Sequence, residues 1–318
     1  MASLWRGSAR FIAGAFNAFT NGLTSSMPAG VPAREGGKRD KNVDMLIGGQ
    51  AVIEGVMMRS LTGYSVAVRQ PDGNVAIRKD KLTSVTAKYP FLKTPVLRGS
   101  VVLIQSLILG MRALNYSASV SSAGEDGEPE MSNWAIAGSM GIALALGVGL
   151  FILAPLGLTN LIRHYLLPEM GNFAYNAIDG VIRAIFFFVY IASISMMDDI
   201  RRVFQYHGAE HKTVYTFEAN EDLTVENARG KSTLHPRCGT SFLMFVMAIS
   251  ILVFSLIPSS AHFAVKFGAR VVLIPLIAGL AYEVIRFSAR HLGNPVCKLL
   301  VRPGMWLQKI TTKEPDEK

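Results

Sequence analysis

The sequence predicts a mainly α-helical integral membrane protein with about four transmembrane helices and a small N-terminal β-rich unit. Three observations carry this. Half of the 318 residues are apolar and only 17% are charged. The apolar residues gather in uncharged runs close to the ~20 residues that a helix needs to cross about 30 Å of hydrocarbon. Period-two alternation around a turn motif occurs near the N-terminal end.

Residues 1–25 contain no acidic side chain. Trp5, Ile12, Phe16, Phe19 and Leu23 recur at helical spacing beside Arg6 and Arg10, which reads as an amphipathic interfacial helix. Gly14 and Asn17 interrupt it too early for a secretory signal, although an organellar transit peptide shares its composition. Residues 26–42 are rich in Pro, Gly and charge and form a linker. Residues 43–95 make a small β-rich cytoplasmic unit. Within it, 64–68 and 75–77 flank Pro71-Asp72-Gly73-Asn74, a hairpin signature.

Residues 96–116 are apolar, but the uncharged core from 99 to 111 is short for a span, so an interfacial or re-entrant helix is expected. Residues 117–133, rich in Ser, Gly and acid, are expected to be a flexible loop. Residues 134–318 form the transmembrane helical region. Its four spans are 134–153, closed by Pro155, then 177–197, 240–257 ended by Pro258, and 271–285. Lys266 and Arg270 stand where they could snorkel at the start of the fourth.

The formal charge is +9. No basic–aromatic motif accompanies it, so a nucleic-acid partner is excluded in favour of the lipid bilayer. Lys and Arg concentrate in the N-terminal region, in 198–239 and in the tail, whereas 155–176 has only Arg163. With four spans the basic regions share one side, which puts both termini in the cytoplasm. Two cysteines, Cys238 and Cys297, give no disulfide framework and fit a reducing compartment.

The chemistry concentrates in 198–241. His207 and His211 lie one helical turn apart on the same face, and Glu210 shares that side. This is the H-x-x-E-H order in which two imidazoles hold zinc and the carboxylate acts on a bound water. His235 and Cys238 follow just before the third span. Cys238 stands at a helix N-terminus, whose dipole suits a thiolate ligand.

Two arrangements are open. In one, His207, His211 and one of His235 or Cys238 bind a divalent metal, zinc first, with Glu210 as general base. In the other, all four side chains close a structural site. The alternative for a five-residue match is a polar helix leaving the bilayer.

Asp199, eleven residues before Glu210, is a candidate to orient a ligand, against pairing with Arg201 or Arg202. Glu54, a lone carboxylate in an apolar stretch, is a candidate ligand or substrate contact, with Arg59 as its local partner. Glu283 is expected to pair with Arg286 along one helix. His164, His262 and His291 read as interfacial or structural, and Cys297 as a packing residue.

Several of these stretches resemble one family. They are Gly48 to Arg59, Tyr89-Pro90, Arg98-Gly99, Phe204 to Lys212, His235 to Ser241, Pro303-Gly304, Leu307-Gln308 and Thr311-Thr312. Together they are similar to the YqhQ-like bacterial membrane proteins, a group described as predicted metal-dependent enzymes, over roughly 43–317. The resemblance implies a multispanning protein of the bacterial inner membrane and supports a metal. It implies no substrate.

The function expected first is a membrane-embedded, metal-dependent hydrolase acting on a lipid-linked or peptide substrate at the cytoplasmic leaflet. A membrane scaffold or assembly factor with a structural metal is the alternative. A transporter with Arg183 and Glu283 along its path is the third reading, and it lacks the repeated halves that transporters show. Oligomeric state has no sequence signal.

Overall fold

The computed structural model describes residues 48–60, 62–82, 89–122, 133–291 and 293–316. The predicted interfacial helix and linker, residues 1–42, lie outside them, as do residues 123–132 of the predicted loop.

The β-rich unit is an antiparallel meander of four strands in chain order: β1 (Gly48–Val52), β2 (Gly55–Arg59), β3 (Gly63–Arg69) and β4 (Val75–Lys81). The predicted hairpin is the β3–β4 pair, with Val68 opposite Ala76. Its turn is closed by Gln70 N–H donating to the Asn74 carbonyl at 2.8 Å, and Gly73 adopts φ 84°. The β1–β2 turn places Glu54 at φ 50°, a strained value for a residue with a β-carbon.

Helix α1 (Leu97–Ser122) follows, then α2 (Asn133–Val148), which runs through a π turn at Gly149–Leu153 into α3 (Ala154–Tyr165). Next come α4 (Asn172–Ile194), α5 (Asp198–Glu218), the short α6 (Val225–Arg229), α7 (Gly239–Phe254), α8 (Phe263–Arg290) and α9 (Pro295–Thr311). Among the described residues, four helices are long and apolar enough to cross a membrane: Leu97–Ser122, Gly141–Tyr165, Asn172–Ile194 and Phe263–Arg290; Gly239–Phe254 is apolar but shorter.

The sheet lies between two helices, which explains the burial of its two central strands, β2 and β3, while β4 stays charged and largely exposed. One face packs Val52, Met57, Val66 and Val68 against Leu109 and Ala113 of α1. The other packs Val56 and Ala67 against Tyr206 and Ala209 of α5, and Met58 against Val214 and Phe217. Each such buried side chain is worth about 1.5–3 kcal/mol. The sheet thereby anchors α5, the helix that carries the histidines. A second core joins Phe245 of α7, Ala281 of α8 and Val301 of α9.

Several expectations are corrected. Residues 117–122, expected in a loop, are the last turns of α1, because Ser117 and Val120 face the sheet. Within 97–122 the helix is uninterrupted, so it holds no re-entrant turn. Pro155 does not end its helix. It has no N–H to give, and the π turn just before it widens the coil enough to carry its ring.

Lys266 and Arg270 do not snorkel; they are 5% and 1% exposed, drawn inward by polar partners on neighbouring helices. Glu283 pairs with Arg98 of α1 rather than with Arg286, through two hydrogen bonds that fit the guanidinium fork.

Candidate metal centre

Helix α5 begins with Asp198 and Asp199 in its first turn, where carboxylates suit the helix dipole. Two turns further on it presents His207, Glu210 and His211 to a crevice formed with Cys238 and the C-terminal tail. Cys238 is the N-cap of α7, and its sulfur lies 3.2 Å from the Thr240 hydroxyl.

One nitrogen of each α5 imidazole is committed to backbone. Nδ1 of His207 lies 2.8 Å from the Thr311 carbonyl, and Nδ1 of His211 contacts the Thr233 carbonyl. A carbonyl can only accept, so each Nδ1 carries the proton and each Nε2 presents a lone pair. One ring nitrogen of each histidine and the Cys238 sulfur lie within 4.8 Å of one another. His207 Nε2 is 3.2 Å from Sγ. Ligand bonds of ~2.0 and ~2.3 Å in a tetrahedral zinc site require about 3.5 Å between such atoms. The gap is small enough for side-chain rotation to close. Two imidazoles with one thiolate form a borderline-soft donor set of the kind zinc prefers, so the residues fit the ion.

The Glu210 carboxylate reaches the same place. Its Oε2 is 3.6 Å from His211 Nε2, and the residue is 5% exposed. The opposite side of this carboxylate lies on the backbone of Gly49 in β1. Gly49 is thus a platform beneath the acid.

His235 is not gathered with these three. Its ring meets Tyr215 edge-on and its centroid is 5.6 Å from that of His211. Nδ1 accepts from the Arg237 N–H, and Nε2 faces Glu218 at 3.4 Å without the alignment of a hydrogen bond. Burial lowers its pKa, with the charge of Glu210 opposing. Its backbone is clamped by Gln308, which accepts from the His235 N–H at 2.7 Å and donates to its carbonyl at 2.9 Å.

Asp199 is exposed, and eight residues of helix, about 12 Å, separate it from His207, so it does not orient a ligand. Glu54 pairs not with Arg59 but with Arg202 and Tyr206. Arg202 Nη2 donates to it at 2.9 Å and the Tyr206 hydroxyl at 3.1 Å. Burial raises the Glu54 pKa, but the Arg202 hydrogen bonds and charge outweigh it and hold the carboxyl below its ordinary value. Burial, then the Glu54 charge, push Tyr206 up to about 12. Arg59 turns away to donate to Ser106 of α1 at 2.8 Å.

Three features of the centre carry little sequence signal. They are the carbonyls of Thr233 and Thr311, the Gln308 clamp, and the tail that returns across α5. There Lys313 N–H donates to the Phe204 carbonyl at 2.9 Å, and Lys212 pairs with Glu314. Gln308 and Thr311 follow Gly304 on one face of α9, a spacing that could have drawn attention to them. A groove of about 810 Å³ lies elsewhere, bordered by Tyr64, Arg78, Arg112 and Tyr116, and no His or Cys lines it.

Residues 94–318 match the family model described as "Protein of unknown function (DUF1385)". The chain belongs to this family. It is 36% identical over 287 residues to "Uncharacterized protein YqhQ" of Bacillus subtilis (strain 168), covering 85% of this chain and 87% of that one. No solved structure matches. The DUF1385 match takes in every helix of the centre, from α5 to the tail, and begins after the sheet that buttresses it.

Proposed function

We propose that this DUF1385 protein is a metal-dependent enzyme of the bacterial inner membrane, a hydrolase working at the cytoplasmic face. The observation that carries the reading is the shared orientation of two imidazoles. Backbone carbonyls hold both Nδ1 atoms, so each Nε2 is free to ligate, and both rings gather with Cys238 beside the Glu210 carboxylate. Three protein ligands with a vacant position is the catalytic pattern, and four is the structural one. A divalent ion bound there would supply a water of pKa near 7 and polarise a substrate oxygen.

Glu210 is the general base of this reading. Its carboxylate borders the metal-ligand atoms, and the β1 backbone fixes it from behind. A lipid-linked or peptide substrate fits a centre set where helices leave the bilayer. The scaffold reading rests on the same 3.6 Å approach of Glu210 to His211, which would let the carboxylate serve as a fourth, closing ligand. A transport path has less support, because Arg183 and Glu283 are each held in ion pairs.

Contacts at both ends of α1 favour four crossings. Its start packs on Pro275, Gly279 and Glu283, from the middle of α8 onward, and its later turns pack on the sheet. The sheet also packs on α5, so the two share one side of the bilayer; with α2–α3 and α4 crossing between them, α1 does not cross. The crossing segments are then α2–α3, α4, α7 and α8. Both termini fall on the side of the basic segments, the cytoplasm.

Elemental analysis of full-length protein, with growth of complemented deletion cells, tests the function. Wild type is expected to hold one zinc per chain and His207→Ala/His211→Ala almost none. Glu210→Gln should keep its metal and fail to complement. Equal metal in wild type and the double variant would sink the metal reading. A fully functional Glu210→Gln would leave only the scaffold.

A further inference from the structure

At the end of the bundle opposite the metal centre, four cations crowd together. Asp179 lies fifteen residues before the end of α4 at Ile194, about 22 Å along the helix from the centre's face. It accepts from Arg270 Nη1 at 2.7 Å and from Arg183. Arg183 also donates to Ser250 at 3.1 Å. The ring of Phe254 lies against both guanidiniums, 4.9 Å from Arg183 and 5.2 Å from Arg270. Lys266 Nζ has only neutral acceptors: Asn160 at 3.0 Å, the Tyr175 hydroxyl at 3.1 Å and the Ser259 carbonyl at 3.0 Å. Arg163 donates to that same Ser259 carbonyl.

Four cations therefore share one carboxylate, and every other acceptor they reach is neutral. The only other acid in 160–176 or 255–270 is Glu169, and its side chain is exposed. Buried, incompletely compensated cations are costly, more so in a bilayer, where they pair or mark a ligand path. Two of these side chains also keep unused donors: Arg183 Nε and Arg270 Nε are buried without a hydrogen-bond partner, and Arg270 is 1% exposed. Arg163 is half-buried at the rim and Lys266 is buried beneath it. The surrounding surface is apolar, with Leu161, Phe173 and Val265 exposed. Guanidinium and ammonium groups that converge with spare donors match the oxygens of a phosphate.

We propose that Arg163, Arg183, Lys266 and Arg270 hold a phosphate group, that of an anionic lipid headgroup in the leaflet away from the metal centre. The acyl chains would lie on the exposed apolar surface, which a free ion would leave bare.

Native mass spectrometry of the full-length protein in neutral detergent tests this. It is titrated separately with phosphatidylglycerol, with monoolein as a phosphate-free lipid, and with inorganic phosphate. Saturable binding of phosphatidylglycerol is expected, with none of monoolein. Arg163→Gln, at the rim, should weaken phosphatidylglycerol about tenfold, the size expected for one charge-assisted contact. Arg290→Gln, exposed at the opposite end, should change nothing.

Inorganic phosphate that binds as tightly as the lipid would overturn the lipid source and keep the phosphate chemistry. Equal binding of both lipids, or equal effects of Arg163→Gln and Arg290→Gln, would overturn the site. The wild-type titrations decide the lipid question even if a variant fails to fold.

Discussion

Glu210 rests on Gly49 so closely that a β-carbon there would lie 2.5 Å from its Cγ and its Oε1. Two distant stretches thus build one feature: a bare patch of β1 backbone and the acid of α5. Gly49→Ala should displace the carboxylate while leaving His207, His211 and Cys238 in place. The expected outcome is a protein with wild-type zinc content that complements poorly, a weaker copy of Glu210→Gln. Metal loss in Gly49→Ala would mean that the platform supports the ligands and not the acid.

Glu54 ties the sheet to α5 from a left-handed backbone position, through Arg202 and Tyr206. Glu54→Gln removes the charge from a half-buried pair, and a loss of about 1–2 kcal/mol is expected at pH 7. The sign with pH follows from the lowered carboxyl pKa. The contribution is complete above the ordinary value of 4.5 and fades as pH falls through the lower folded value. Thermal melts of wild type and Glu54→Gln should therefore differ at neutral pH and converge on acidification. A constant gap down to pH 3.5 would contradict the pairing.

The parts of this architecture written in local spacing were legible, and the parts written across the chain were not. The four-residue interval puts His207 and His211 on one face whatever surrounds them, and the position of Cys238 just before an apolar run marks it as a cap. The β3–β4 hairpin announces itself through Asp72-Gly73. By contrast, Glu54 meets Arg202 across 148 positions, so the nearer Arg59 was the wrong partner. Arg98 and Glu283 are 185 apart. His235 looked like a ligand by proximity in sequence, but the Gln308 clamp and the Arg237 N–H turn its ring aside. The acceptors that fix the two imidazoles are backbone carbonyls, which no residue type encodes.

Gly208 of α5 sits beneath the returning tail, where a β-carbon would come within 2.1 Å of the Lys313 carbonyl oxygen. In an open helix Ala would be favoured over Gly by about 1 kcal/mol. Here the obstacle is backbone, which cannot rotate away. Gly208→Ala should lift the tail, lose the Lys313–Phe204 bond and pull the Thr311 carbonyl off His207. A loss of about 1–3 kcal/mol is expected, with zinc affinity about 10- to 100-fold weaker because an orienting partner is gone. Melting curves and chelator competition measure both. Unchanged zinc affinity would show that the tail does not position His207.

The four-crossing arrangement can be read from outside the cell. In a Cys238→Ser/Cys297→Ser background, Glu169→Cys in the exposed α3–α4 loop should react with a membrane-impermeant thiol reagent on intact cells. Lys298→Cys, exposed on α9, should react only after lysis. The reasoning depends on α1: if it crosses, the sheet and the later helices fall on opposite sides of the bilayer. That outcome conflicts with the packing of Val56 on Tyr206 and of Glu54 on Arg202, which requires sheet and α5 to share one side. Labelling of both cysteines on intact cells would reject the arrangement and with it a cytoplasmic metal centre.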